Sequence, residues 1–164
     1  MIWPAVVLAG LLAGCAGGQR EATSPEVPSS TTASPPPAMG TPVRDGELEF
    51  VVKGVRLGPS ISSNDVSFTA HGRYAAIGLS VTNIGDQPAG YQAIDQKLIV
   101  DGTRYDYAAA PTNVLTGNAT AQINPGVGID TLIAYDIPAG ARPERIELHG
   151  APGTPGVVVE LSLT

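Results

Sequence analysis

The chain predicts an all-β protein built as an antiparallel β-sandwich, and three observations carry that prediction. Apolar and polar residues alternate at period two along most of residues 46–164, the pattern of half-buried strands. Turn-forming elements such as Asp101-Gly102, Asn124-Pro125-Gly126 and Pro138-Ala139-Gly140 punctuate these stretches. No segment there shows the spacing of an amphipathic helix, and at most Ala108 to Thr116 holds a helical turn.

Residues 1–14 read as a lipoprotein signal peptide. Ala5 to Gly14 is a run of ten apolar or small residues, too short for a span, which takes roughly 20, but suited to a signal-peptide core. It ends in Leu12-Ala13-Gly14-Cys15, a lipobox. Ala13 and Gly14 are small enough to enter a peptidase groove, and the Cys15 sulfur is the lipidation site that takes diacylglycerol. Two acyl chains, at about 0.8 kcal/mol per buried methylene, hold a protein stably where one does not. The expected location is therefore the extracytoplasmic face of the cell membrane. Met1-Ile2-Trp3-Pro4 carries no side-chain charge, which points to a true start upstream of Met1. Cys15 is the only cysteine, so the mature domain is expected to fold without a disulfide.

Residues 15–45 read as a disordered tether. Thr23-Ser24-Pro25, Pro28 to Thr32 and Ser34 to Pro37 hold almost no bulky apolar side chains, too few to offset the entropy of ordering them. Met39 is placed in this tether. One sandwich domain, 46–164, follows.

Within it, Leu48, Phe50 and Val52 share a face; Gly54 then shifts the parity, which predicts a bulge. Ile77, Leu79 and Val81 line one side of a strand from Tyr74 to Ile84, with Ser80 and Thr82 opposite. Leu98 to Tyr105 forms a hairpin about Asp101-Gly102, a pair that accepts the positive φ angles of a type I′ turn. Ile133, Tyr135 and Ile137 point together into the core. Arg145 to Leu148 and Val157 to Leu163 complete seven or eight strands, for which immunoglobulin-like topology is the leading form.

Three elements make the domain similar to the immunoglobulin-like domain of many secreted bacterial lipoproteins, a telokin-like family of unknown function. That family shares its superfamily with a small secreted mycobacterial antigen. The elements are Gly72-Arg73-Tyr74 through Asn83-Ile84-Gly85, Asp101-Gly102-Thr103-Arg104-Tyr105, and Asn124-Pro125-Gly126 through Asp136-Ile137-Pro138. Ala134 departs from the pattern by standing where a bulky apolar residue is usual. The resemblance implies an extracytoplasmic interaction module and supplies no catalytic residues.

The residues themselves point the same way. A net charge of −6 with no cluster of Lys or Arg argues against nucleic-acid binding. Only His71 and His149 offer an imidazole base, neither has a Gly-x-Ser-x-Gly partner, and both read as exposed loop residues. No His or Cys spacing suits zinc or copper. Asp86, Asp95, Asp101, Asp106 and Asp130 are oxygen donors of the kind calcium takes, without the spacing of a calcium loop. No cofactor and no catalytic residue are assigned. Arg104, Tyr105, Tyr107 and Tyr91 are read as a contact surface, because Tyr and Arg are favoured at interfaces. The expected function is a membrane-tethered, non-enzymatic binding module for an envelope protein or small ligand. The alternatives are a carrier of an apolar or lipid ligand between the sheets, and an envelope hydrolase needing a histidine beside a carboxylate in a cleft.

Overall fold

The structure, a computed structural model, describes residues 34–63 and 65–163. The signal peptide, the lipobox with Cys15 and tether residues 15–33 lie outside the described residues. In chain order the elements are β1 (Val43–Asp45), β2 (Leu48–Ser63), β3 (Val66–Asn83), β4 (Ala89–Gln92), β5 (Lys97–Val100), β6 (Thr103–Tyr105), α1 (Ala109–Leu115), β7 (Thr120–Ile123), β8 (Gly128–Ile137), β9 (Pro143–Leu148) and β10 (Val157–Glu160). A 3₁₀ turn at Ala93–Asp95 leads into β5.

One four-stranded sheet runs β1-β2-β3-β8 and a second runs β10-β9-β5-β6, while β4 and β7 pair beside them. All these pairings are antiparallel. Alternation places Phe50, Val52, Ile77, Leu79, Ile133 and Tyr135 on the inner face of the first sheet. Leu98, Val100, Ile146, Leu148 and Val159 meet them from the second in a single buried cluster. Each full burial of such a side chain stabilises by about 1.5–3 kcal/mol. The sheets are thus held together by packing, and the space a ligand would need between them is occupied by side chains of both.

Local signals explain the joints. Asp101 (φ 48°) and Gly102 (φ 73°) form the two-residue turn between Val100 and Thr103, the geometry of type I′. In Asn124-Pro125-Gly126 the Val127 N–H donates to the Asn124 carbonyl at 3.0 Å with Gly126 at φ 73°, as in a type II turn. Asn83 is fully buried. Its amide donates to the Gln87 and Ile123 carbonyls (2.7 and 2.8 Å) and accepts from the Gly85 N–H (2.8 Å).

The register shifts between Val52 and Gly54, the predicted bulge, and again between Gly58 and Ser60. Since β8 pairs with β3 only from Arg73 to Thr82, the far ends of β2 and β3 extend as a two-stranded arm. Ile61, Phe68 and Ala70 of that arm join Tyr74, Ala134, Ala108 and Leu115 in a smaller second cluster. Here the unusual Ala134 finds its reason. Its N–H donates to Thr112 Oγ1 (3.0 Å) and its carbonyl accepts from the Ala108 N–H (2.7 Å), so a small side chain lets α1 lie close to β8.

Two sequence boundaries are corrected. The folded part begins before residue 46: the Glu160 N–H donates to the Pro37 carbonyl (2.8 Å), the Gly40 N–H to the Val52 carbonyl (2.9 Å), and β1 is already a strand at Val43. Met39, assigned to the tether, packs on the core. Composition hid this segment because backbone hydrogen bonds to the sheets order it. At the other end, β10 is a strand only to Glu160, short of the expected Leu163, although the Leu161 N–H still donates to the Glu144 carbonyl (2.8 Å) in the register of β9.

Candidate functional site

The tyrosine surface read from the sequence does not assemble. Tyr91 on β4 is 1 % exposed, because the pairing of β4 with β7 turns its ring into the core cluster; it is no contact residue. β6 ends at Tyr105, so Tyr107 does not continue its parity, and both rings are half-buried against the core. Arg104 is exposed, but its guanidinium is held by the Glu147 carboxylate at 2.7 and 2.8 Å. Burial pushes the Tyr91 and Tyr135 phenols upward in pKa.

Both histidines stand beside carboxylates, and neither is the exposed loop residue expected. His71 is exposed but lies on β3, with Nδ1 2.9 Å from Asp136 Oδ2. The His71 and Gly72 N–H groups also donate to that carboxylate (2.9 and 3.2 Å). Burial alone would raise Asp136, and these three contacts outweigh it, so its pKa lies below the ordinary value. His149 is half-buried at the end of β9, its ring set between the Thr154 carbonyl and Glu147 (3.1 Å each). Gln96, fully buried, accepts from the His149 N–H (2.8 Å) and donates to its carbonyl (3.0 Å). Asp45 closes this clasp by accepting from the Gly150 N–H (2.7 Å) and the Thr154 hydroxyl. Among the described residues, no hydroxyl or thiol is hydrogen-bonded to either imidazole, so neither pair arms a nucleophile. The five aspartates do not gather either: Asp106 pairs with Lys97 and Asp130 with Lys53 (2.7 Å each). Among the described residues, no three His, Cys, Asp or Glu side chains are placed to hold a metal.

What the fold does build is a groove of about 470 Å³ on the outer face of the first sheet. Register creates it. Gly54, Gly78 and Leu132 lie side by side across β2, β3 and β8, and Arg56, Ala76 and Ala134 form the next row. Two glycines and an alanine leave a depression. Leu115 and Thr116 at the end of α1 and Leu132 wall it on the β8 side; Lys53 and Arg56 wall it on the β2 side. Asp130 pairs with Lys53, and hydrogen bonds from Lys53 and Ser80 keep its carboxyl below the ordinary range.

Neither glycine of this floor is required by the backbone. Both lack a positive φ, a Cβ on Gly54 would meet nothing within 4 Å, and one on Gly78 would touch Leu132 and Lys53 at an ordinary 3.7 Å. Elsewhere glycine is forced: a Cβ on Gly72 would collide with the Ile137 carbonyl, and one on Gly150 with that of Asp45. Glycine within a strand costs stability relative to alanine. The sequence signal is a pair of mid-strand glycines, Gly54 and Gly78; the alternation pattern marks Gly54 as a bulge and gives no sign of Gly78.

The family model for a domain of unknown function, DUF4352, matches residues 37–156, which spans β1 to β9 and the groove. The chain belongs to the DUF4352 family. No curated protein matches it in sequence. Three bacterial proteins are among the solved structures with a similar fold. The yjhA protein of Bacillus subtilis aligns with TM-score 0.59 and 14% identity over 77% of this chain and 99% of its own. MPT63, a secreted protein of Mycobacterium tuberculosis, aligns with TM-score 0.53 and 17% identity over 77% and 99%. The candidate lipoprotein ycdA of Bacillus subtilis aligns with TM-score 0.51 and 15% identity over 73% of this chain and 38% of its own. At such identities the likeness is one of β-sandwich fold.

Proposed function

We propose that the chain is a non-enzymatic binding module held at the extracytoplasmic face of the cell membrane by diacylglycerol on Cys15, and that it binds through the outer-face groove. One observation carries the binding reading: the groove floor is made of Gly54 and Gly78, which neither backbone conformation nor available space demands. A concave site with apolar lining and a few polar groups is the usual form of a ligand site. The lipobox supports the location, as do the secreted MPT63 and the candidate lipoprotein ycdA among proteins of the same fold. A charge of −6 supports partners other than nucleic acid. The packed cluster between the sheets speaks against a carrier at that place, and two histidines without a bonded nucleophile speak against a hydrolase.

The test is in cells. The full chain carries a photoactivatable side chain at Thr116, on the groove wall, and is compared with its Gly78→Leu and Cys15→Ala forms. The expected result is a discrete adduct that Gly78→Leu abolishes, and membrane fractionation that Cys15→Ala abolishes. An adduct unchanged by Gly78→Leu defeats the binding site; unchanged fractionation defeats the anchor.

A further inference from the structure

From the chemistry of the two groove walls we infer that the ligand is an amphipathic organic anion, a carboxylate or phosphate head on an apolar stem. The inference rests on the groove being a binding surface and names what that surface takes. The walls differ across the glycine floor. On the β8 side stand Leu115 and Leu132, apolar and half-buried. On the β2 side stand two cations, Lys53 and Arg56. Lys53 is neutralised by Asp130 at 2.7 Å. Arg56 is exposed, and among the described residues no carboxylate lies within ion-pair distance of it. With Asp130 included, the lining carries one net positive charge in a chain whose net charge is −6.

A guanidinium presents a planar fork of donors that matches carboxylate or phosphate oxygens in pairs. Free on the lip of a groove with an apolar far wall, it fixes the polarity of the occupant. The head sits at Arg56, and the stem crosses Gly54 and Gly78 toward Leu132 and Leu115. The volume of about 470 Å³ falls in the range of small-ligand sites. A cationic amphiphile would set its head against Arg56, and a neutral one would leave the guanidinium unpaired.

The probes are decanoate, 1-decanol and decyltrimethylammonium, equal in chain length and different in charge, titrated by calorimetry below micelle formation into the full chain carrying Cys15→Ala. Decanoate is expected to bind about tenfold or more tighter than decanol, the scale of a charged hydrogen bond, and the ammonium weakest. Arg56→Gln is expected to remove that preference, weakening decanoate at least tenfold more than decanol. Gly78→Leu is expected to weaken both decanoate and decanol at least tenfold. Melting curves confirm that it folds, and Gly54→Leu, where a Cβ meets nothing within 4 Å, provides a second filled groove. Co-sedimentation with phosphatidylglycerol against phosphatidylcholine vesicles separates a bilayer headgroup from a free acid, and an Arg56-dependent preference for the anion in either format supports the inference. Equal binding of decanoate and decanol, or a preference unmoved by Arg56→Gln, overturns it. If charge makes no difference but filling the groove still abolishes binding, the anion assignment falls and the binding surface stands. If filling changes nothing, both fall.

Discussion

Along β3, the inward residues Ala75, Ile77, Leu79 and Val81 are buried in the core, whereas the outward residues between them, Ala76, Gly78 and Ser80, are no larger than serine and only partly covered. One strand thus serves two purposes on its two faces. Inside, side-chain volume is what joins the sheets, and removing it leaves a void. Outside, the absence of volume between α1 and the β2 side chains is itself the feature. Gly72 in the same strand sharpens the contrast, since its missing side chain makes room for the Ile137 carbonyl and is therefore a requirement of folding.

Ile77→Ala should produce the largest effect. It is fully buried, and the lost contacts and cavity should cost about 2–5 kcal/mol, read as a lower denaturation midpoint. A loss under 1 kcal/mol would erase the distinction between the faces. Asn83→Ala should come next, at about 2–3 kcal/mol, because it strands the Gln87 and Ile123 carbonyls without their donor. Gly78→Ala, one residue from Ile77, should do the opposite and raise stability by about 0.5–1 kcal/mol, measured in the same denaturant series. A destabilised Gly78→Ala would mean that folding needs this glycine after all.

The smallest effect concerns pH. Asp136 and Asp45 have folded pKa values below their unfolded ones. For each, burial works upward and is outweighed: at Asp136 by the N–H groups of His71 and Gly72 and the His71 ring, and at Asp45 by Thr154, the Gly150 and Gly156 N–H groups and His149. The stability they contribute is complete above the unfolded value of about 3.9 and is lost as pH falls through the folded values. Asp136→Asn should flatten the decline in melting temperature below about pH 4.

Local signals in the sequence make much of the fold legible. Asp101-Gly102 specified its hairpin, alternation sent Ile133, Tyr135 and Ile137 inward, and the parity break at Gly54 marked a real bulge. Legibility ended where long-range pairing decides. Ser60 to Ser63 and Val66 to Thr69 are too polar to announce strands, yet they pair because their neighbours already do. Tyr91 reads as a surface aromatic until its strand partner is known. The motifs behind the family resemblance proved structural: Asn83 pins a loop and Asp136 gathers N–H groups. The groove was not legible, because it exists only where α1 and β8, distant in the chain, come against the face of the β2–β3 pair.

The position of α1 has one further consequence. β8 is the last strand of its sheet, and such a strand would ordinarily present unpaired donors and acceptors to any neighbouring molecule, a template for polymerisation. The α1 segment claims these groups first: Ala108 and Thr112 take Ala134, and the Asn118 amide takes the Asp130 carbonyl at 3.1 Å. At Ala134 and at the Asp130 carbonyl the outer edge of β8 is therefore already occupied, and a further strand has no free groups to pair with there. The same seven-residue helix thus shields part of one sheet edge while forming one wall of the groove.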